Sequence, residues 1–243
     1  GLEAGEAPEV WNFEHPDKIT AHHRKFVEAG ADIILTNSFG GTRHRLKLHG
    51  LDKRVEEVNE AAAKIARSVA DNADHKVIVA GSVGPTGELF VPLGALTHAD
   101  AVDAFREQIR GLKKGGIDVV WIETMSDLNE IRAAIEGVRR ASPGIAVIAT
   151  MTFDTRGHTM MGVSPEDAVR ALAAWGADAI GGNCGNGPDE LIPVIARMRA
   201  AAPDVVLVAK SNAGMPELVD MRAVYRAEPD VMAAQVKAMV AAT

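Results

Sequence analysis

The segment Gly176-Ala177-Asp178-Ala179 places a glycine, one further residue, an aspartate and the apolar start of a strand in a fixed order. The same order occurs in Gly30-Ala31-Asp32-Ile33 and in Gly116-Ile117-Asp118-Val119. Such a pattern is typical of a helix that ends at a left-handed glycine and is followed by a short loop into a strand. The repeat therefore predicts a chain built from helices that alternate with strands.

Short runs of apolar and β-branched residues alternate with helical segments along the whole chain. Because successive runs are far enough apart in sequence for a crossover helix, they are predicted to form buried parallel strands. The predicted strands are Ile33 to Leu35, Val77 to Ala80, Val119 to Ile122, Ala146 to Ala149, Ala179 to Ile180 and Val205 to Val208.

The order of these segments indicates an α/β fold. Helices are predicted near Asp17 to Ala29, from Pro188 onward and from about Pro229 to Ala242. Six strand–helix units between a leading and a trailing helix favour a TIM (β/α)8 barrel whose first and last strands lie outside this sequence. We thus expect residues 1–243 to be a single barrel domain, incomplete at both ends. A doubly wound open sheet is the alternative.

Composition narrows the range of partners. The formal net charge of the 243 residues is -7, which opposes a phosphate backbone, so no nucleic-acid partner is expected. No apolar run reaches the length of a membrane span, so no membrane partner is expected and a cytoplasmic enzyme is predicted. The single cysteine, Cys184, excludes an internal disulfide and fits a reducing compartment. Small-molecule substrates are predicted, and a homo-oligomer is left open.

Polar residues follow the predicted strands directly, where parallel α/β folds place their active sites. Cys184 follows a strand between glycines and precedes a helix start, which suits a metal ligand or nucleophile, although an inert core thiol is the common alternative. Glu123 at a strand end is predicted to hold an ammonium group or to form a structural ion pair. The remaining candidates, which can equally serve as turn or cap residues, are Asn37, Ser82, Asn183 and Asn212.

With these strand ends in view, the chain resembles the homocysteine S-methyltransferase family from end to end. It is particularly similar to bacterial betaine-homocysteine methyltransferases and to the homocysteine-binding barrel of methionine synthase. The segments that carry the resemblance keep the family's order and spacing; they are Thr36-Asn37-Ser38-Phe39-Gly40-Gly41-Thr42, Gly81-Ser82-Val83-Gly84-Pro85-Thr86-Gly87, Glu123-Thr124, Thr152-Phe153-Asp154 and Gly182-Asn183-Cys184-Gly185.

The resemblance implies a Zn²⁺ cofactor bound by three cysteinates, of which Cys184 matches the first. The family's adjacent pair of cysteines would lie beyond Thr243, and its first-strand motif would precede Gly1. The resemblance further implies that Glu123 holds the ammonium group of homocysteine while Asn183 and Ser82 shape that pocket. Zinc coordination would deprotonate the substrate thiol, which is mostly protonated at neutral pH.

The implied reaction is zinc-dependent transfer of a methyl group from betaine or a related donor to homocysteine, giving methionine. A quaternary ammonium donor is best held by aromatic rings, and Phe39 and Trp11 are the candidates among few aromatic residues. Methylfolate, methylcobalamin and S-methylmethionine are alternative donors. Two alternatives to a methyltransferase belong to other classes of protein. One is a zinc-free barrel that binds an amino acid or a partner, and the other is a barrel lyase that acts on phosphorylated compounds.

Overall fold

The computed structural model describes residue 2 and residues 5–214, 217–219, 222–224 and 228–241. Its α-helices are α1 (Trp11–Glu14), α2 (Pro16–Glu28), α3 (Arg43–Lys47), α4 (Val55–Asp71), α5 (His98–Lys114), α6 (Leu128–Ala141), α7 (Pro165–Ala174), α8 (Pro188–Ala201) and α9 (Pro229–Ala241). Its strands are β1 (Ile33–Leu35), β2 (Ile78–Val83), β3 (Val119–Met125), β4 (Ala146–Met151), β5 (Ala179–Cys184), β6 (Leu207–Ser211), β7 (Glu217–Val219) and β8 (Arg222–Val224).

The strands β1 to β6 form one sheet whose strand order follows the order of the chain. The pairs β1–β2, β2–β3 and β5–β6 are parallel. A sequential order is that of a (β/α) barrel, whereas a doubly wound sheet reverses its order partway. The predicted α/β barrel class is thereby confirmed over the alternative.

All six predicted strands are present, but several boundaries differ. β5 continues from Ala179 to Cys184 instead of ending at Ile180, and β3 continues to Met125. β6 begins at Leu207, later than the predicted Val205, and ends at Ser211. Several polar residues expected after the strands are therefore among their last residues, because ladder hydrogen bonds continue beyond the apolar run; they are Ser82, Glu123, Asn183 and Cys184. Asn37 and Asn212 do follow their strands. The predicted end of the last helix at Ala242 lies outside the described residues.

The glycines of the repeated segment adopt the predicted left-handed conformation. Gly30, Gly116 and Gly176 have φ values of 92°, 93° and 78°, and each lies just beyond the end of a helix. At the first copy, the N–H of Gly30 donates to the carbonyl of Val27 and that of Ala31 donates to the carbonyl of Phe26. These two bonds are the Schellman arrangement, which satisfies carbonyls at the helix end.

The chain divides into two compact units. The first unit comprises Gly1–Ile122 and Arg132–Ile148. Its helices α4 and α5 approach closely because Gly115 has no side chain: a Cβ there would lie 2.4 Å from the Cβ of Ala63. An apolar cluster that includes Val27, Ile34, Ala66 and Val79 fills the space between helices and strands.

The second unit comprises Glu123–Ile131 and Ala149–Thr243. Helix α8 packs on β5, where Leu191 lies over Gly182 so closely that a Cβ on the glycine would be 2.6 Å from Leu191 Cδ1. A bidentate ion pair joins α7 to α8, since Arg197 donates to both carboxylate oxygens of Glu166 at 2.7 Å. The antiparallel pair β7–β8 was not predicted. The expectation of one domain over 1–243 stays a prediction.

Candidate active site

The carboxyl ends of β3, β5 and β6 bring polar side chains together in the second unit. We call them the strand-end cluster; its members are Glu123, Thr124, Asn183, Cys184 and Lys210. In parallel α/β folds this end of the strands carries the active site. The cluster is therefore the candidate site of this unit.

An ion pair between Glu123 and Lys210 forms one side of the cluster. Lys210 Nζ lies 2.6 Å from Glu123 Oε2, and the side chain of Glu123 is 7% exposed whereas that of Lys210 is 39% exposed. Because β4 and β5 lie between β3 and β6 in the strand order, both side chains must leave the same face of the sheet to meet. The buried carboxylate is thus paired, as its desolvation requires.

Asn183 links β5 to β3 through its side chain. Its Oδ1 accepts from the N–H of Thr124 at 2.8 Å, and its Nδ2 donates to Thr124 Oγ1 at 2.7 Å. Its own carbonyl accepts from Thr152 Oγ1 at 3.1 Å. Since the residue is 1% exposed, these bonds fix the orientation of the amide.

Cys184 turns its sulfur toward Asn183 because its backbone leaves the regular strand conformation. Successive side chains of a strand point to opposite faces, yet Cys184 Sγ is only 3.1 Å from Asn183 Nδ2 and 3.6 Å from Thr124 Oγ1. Cys184 has a φ of 59° and Thr124 a φ of 63°, both in the left-handed region. Strain of this kind costs on the order of 1–3 kcal/mol per residue and is concentrated at functional sites.

Two polar side chains contact the sulfur of Cys184. The side-chain N–H of Asn183 donates to Sγ, and the hydroxyl oxygen of Thr124 lies 3.6 Å from the same sulfur. The half-buried position of Cys184 leaves it within reach of a ligand. These are the features expected of a cysteine that acts as a ligand or nucleophile.

Asn212, another predicted substrate-binding residue, lies beside the loop that follows Cys184. Its Nδ2 donates to the carbonyl of Gly185 at 2.9 Å. The neighbouring Asn186 donates to Glu190 Oε2 at 2.9 Å. Both amides hold the loop between β5 and α8, and a role of Asn212 toward substrate stays a prediction.

Ser82 lies in the first unit, at the end of β2, where it is 2% exposed. Its N–H donates to Thr36 Oγ1 at 3.0 Å, and its carbonyl accepts from Ser38 Oγ at 2.8 Å. The side chain of Gln108 also donates to the carbonyl of Ser38, at 2.8 Å. Ser82 is thus held at a strand end by a buried polar network, and its predicted role in shaping a pocket stays a prediction.

Asn37 and Phe39 follow β1 in the same unit. Asn37 Nδ2 donates to the carbonyl of Pro8 at 2.8 Å and to Asn12 Oδ1 at 3.1 Å, so it holds the N-terminal segment. The ring of Phe39 covers Gly84 and is 37% exposed. Both residues line a cavity of about 630 Å³. Their contacts with substrate stay predictions.

Sequence reasoning missed Lys210 and Thr124 as members of the cluster. Both stand in strand-end segments that the sequence marks, in Lys210-Ser211-Asn212 and in Glu123-Thr124. Lysine and threonine at a strand end are ordinary surface residues, so the residue types gave no signal. Only their pairing with Glu123 and Asn183 distinguishes them.

A zinc ion would need more ligands than the cluster supplies. Catalytic zinc sites use about three protein ligands and one open position. Within the described ranges, no group of three or more His, Cys, Asp or Glu side chains is placed to hold a metal ion. Cys184 can contribute one thiolate, so the described residues do not complete a zinc site by themselves.

The sheet with its sequential strand order defines an α/β-barrel protein. The hydrogen-bonded cysteine at a strand end places its candidate site at the carboxyl ends of the strands. Residues 2–243 match the model of the homocysteine S-methyltransferase family. The chain belongs to that family, and the resemblance inferred from its motifs is confirmed.

Two curated relatives are methionine synthases of mycobacteria. The chain is 34% identical to that of Mycobacterium leprae and 35% identical to that of Mycobacterium tuberculosis, in each case over 240 residues and 96% of this chain. The chain spans 20% of the length of these relatives.

Solved structures of the homocysteine methyltransferase MmuM from Escherichia coli share the fold. The metallated form has a TM-score of 0.77 at 23% identity, with 88% of this chain and 79% of that chain covered. The oxidized form has a TM-score of 0.73 at 20% identity, with 100% and 91% covered. At these identities the likeness shows the fold alone. Separately, no helix among the described residues is both long and apolar enough to span a membrane.

Proposed function

We propose that this chain binds homocysteine and presents its sulfur to a methyl donor, so that methionine is formed. Membership of the homocysteine S-methyltransferase family supports this reaction. The relatives named methionine synthase support methionine as the product. In the reaction the thiol loses its proton, and a sulfur–carbon bond forms as the bond from the donor to its methyl group breaks.

The observation that carries the proposal is the pairing of Glu123 with an ammonium group. The Lys210 ammonium lies 2.6 Å from Glu123 Oε2, at a carboxylate that is otherwise buried. The α-ammonium of homocysteine has the same charge and the same donors, so it can replace Lys210 at this carboxylate. Glu123 is therefore proposed as the residue that binds the substrate ammonium.

A zinc ion bound in part by Cys184 belongs to the same proposal. The hydrogen bond from Asn183 Nδ2 holds the sulfur at the strand end, and the thiolate of a cysteine is the form that binds zinc. The remaining ligands would come from residues outside those described. Bound zinc would supply a deprotonated substrate sulfur at neutral pH. The residues of the chain would bind and orient homocysteine beside it.

Betaine is the donor we propose first, with methylfolate, methylcobalamin and S-methylmethionine as the alternatives. A quaternary ammonium group is attracted to aromatic rings. Phe39 is partly exposed and lines a cavity of the first unit, and Glu9, whose carboxylate accepts from the N–H of Gly40, lines the same cavity. This combination of ring and carboxylate supports a cationic donor.

A methyl-transfer assay of the full-length protein with zinc, homocysteine and each of the four donors tests the reaction. Glu123→Gln should weaken homocysteine binding roughly 10-fold or more and leave donor binding unchanged, because only the amino acid loses a charge partner. Glu166→Gln, which removes another ion-paired carboxylate of the same unit, is the matched control. Absence of methionine with every donor would overturn the proposal.

A further inference from the structure

Glu123 provides a partner for the ammonium group of homocysteine but not for its carboxylate. Homocysteine is a zwitterion, and its α-carboxylate is attached to the same carbon as its α-ammonium group. A site that held the ammonium by Glu123 alone would place the substrate carboxylate close to a second carboxylate in a poorly solvated region. That repulsion would offset much of the gain.

Lys210 is placed to remove this repulsion. Its ammonium already lies against Glu123, and its side chain leaves the same face of the sheet. The residue is paired in register with Asn183, whose amide bonds to Cys184 Sγ. The positive charge is thus part of the same cluster as the thiol.

The two side chains differ in their freedom to move. Glu123 is buried at 7% exposure, whereas Lys210 is 39% exposed and carries its charge on a flexible stem of four methylene groups. The side chain of Lys210 can therefore move away from Glu123 while the carboxylate stays in place. The pair can open by the movement of one residue.

We propose that Lys210 binds the α-carboxylate of the amino-acid substrate while Glu123 binds its α-ammonium, an inference that rests on the proposed function. The zwitterion inserts between the two side chains, and each of its charges takes one protein partner. Charge is conserved in the site, because a neutral ion pair receives a neutral zwitterion. The ion pair thus makes the site bind free α-amino acids more tightly than thiols that carry a single charge.

The test compares three thiols that differ only in their charges. The probes are homocysteine, aminopropanethiol, which lacks the carboxylate, and mercaptobutanoate, which lacks the ammonium group. Dissociation constants are measured by calorimetry with the full-length protein and with Lys210→Met and Lys210→Arg. The double variant Glu123→Gln/Lys210→Met removes both charges at once and avoids an unpaired buried carboxylate.

Lys210→Met should weaken binding of homocysteine and of mercaptobutanoate about 10-fold or more, since both lose a charged hydrogen bond. Binding of aminopropanethiol should be unchanged or tighter, because Glu123 no longer has a competing ammonium. Lys210→Arg should retain the preference for thiols with a carboxylate. The double variant should no longer distinguish the two single-charge thiols, a result that holds even where Lys210→Met is poorly folded.

Two results would overturn the assignment of Lys210. Equal weakening for all three thiols would make the ion pair a structural contact, and tighter binding of homocysteine by Lys210→Met would make Lys210 a competitor of the substrate. Wild-type protein that binds none of the thiols would instead refute the proposed function itself, and the assignment with it. Failure of the Lys210 assignment and failure of the proposed function therefore give different binding results.

Discussion

Thr124 and Asn183 are joined by two reciprocal hydrogen bonds, from the Thr124 N–H to Asn183 Oδ1 at 2.8 Å and from Asn183 Nδ2 to Thr124 Oγ1 at 2.7 Å. The same Nδ2 also donates to Cys184 Sγ at 3.1 Å. One amide thus supports the left-handed backbone of Thr124 and the sulfur of Cys184 together. Asn183 therefore connects the strained backbone of Thr124 to the sulfur of Cys184.

Replacement of the Asn183 amide by a carboxylate should keep the hydrogen bond from the Thr124 N–H and remove the one to the Cys184 sulfur. In Asn183→Asp, one oxygen can still accept from the Thr124 N–H, but the other brings negative charge to the sulfur in place of a donor. We expect the protein to fold, and we expect iodoacetamide to alkylate the single cysteine of the 243-residue chain roughly 10-fold more slowly, because the new carboxylate repels the negative charge of the reacting sulfur.

Asn183→Ala provides the comparison for this prediction. It removes the acceptor of the Thr124 N–H as well as the donor to sulfur, and the unsatisfied N–H should cost on the order of 1–3 kcal/mol in the free energy of unfolding. Urea titrations monitor this loss. Alkylation of Asn183→Asp at the wild-type rate would show that Asn183 does not control the sulfur.

Zinc binding by the full-length protein should depend on Cys184. We expect about one zinc per chain in the wild type and a loss of most of it in Cys184→Ala, because a site with about three protein ligands cannot spare one. Metal analysis after dialysis measures the content. Asn212→Ala, which changes an exposed amide beside the same loop, should retain zinc. Undiminished zinc in Cys184→Ala would contradict the assignment.

Gly115 should tolerate no side chain where α5 crosses α4. Its Cβ would lie 2.4 Å from Ala63 Cβ and 2.6 Å from the carbonyl oxygen of Glu60. Gly115→Ala is therefore expected to lower the free energy of unfolding by about 1–3 kcal/mol through overpacking. Gly144→Ala is the control, because nothing lies within 4 Å of a Cβ at that position. Equal stabilities of the two variants in urea would refute this account of the packing.

His23 should make the stability of the protein depend on pH. Burial, with a smaller effect of the neighbouring His22, lowers its pKa from 6.5 to about 4. The unfolded chain binds a proton near pH 6.5 and the folded chain does not, so this contribution to stability is present above pH 6.5 and is lost as the pH falls toward 4. The loss should be about 2 kcal/mol between pH 7 and pH 5.

Substitution of His23 by leucine should remove that part of the pH dependence. Urea unfolding at pH 7 and at pH 5 gives the two free energies, and their difference is compared between variants. His22→Leu, at the exposed neighbouring position of α2, should keep most of the wild-type dependence, because burial is the larger cause of the lowered pKa of His23. An unchanged difference in His23→Leu would mean that another group titrates.

Local features of the chain were sufficient to predict the architecture and to select the strand ends as the place of the candidate site. Each apolar run, and each glycine such as Gly30 or Gly176, acts through its own neighbours in sequence, so six strands and their helix ends could be located. Parallel strands all end at the same edge of a sheet, so Glu123, Asn183 and Cys184 could be assigned to one site. The boundaries were less accurate, because hydrogen bonds between strands continue past the apolar residues.

Only the tertiary structure decided how these residues meet. Glu123 and Lys210 are 87 residues apart, and nothing near either in sequence identifies the other as its partner. Thr124 and Cys184 adopt a left-handed backbone that their residue types disfavour. That conformation is held by Asn183, whose hydrogen bonds join β5 to β3. Contacts between distant strands, which no local preference encodes, therefore place the sulfur, the amide and the two charges in one site.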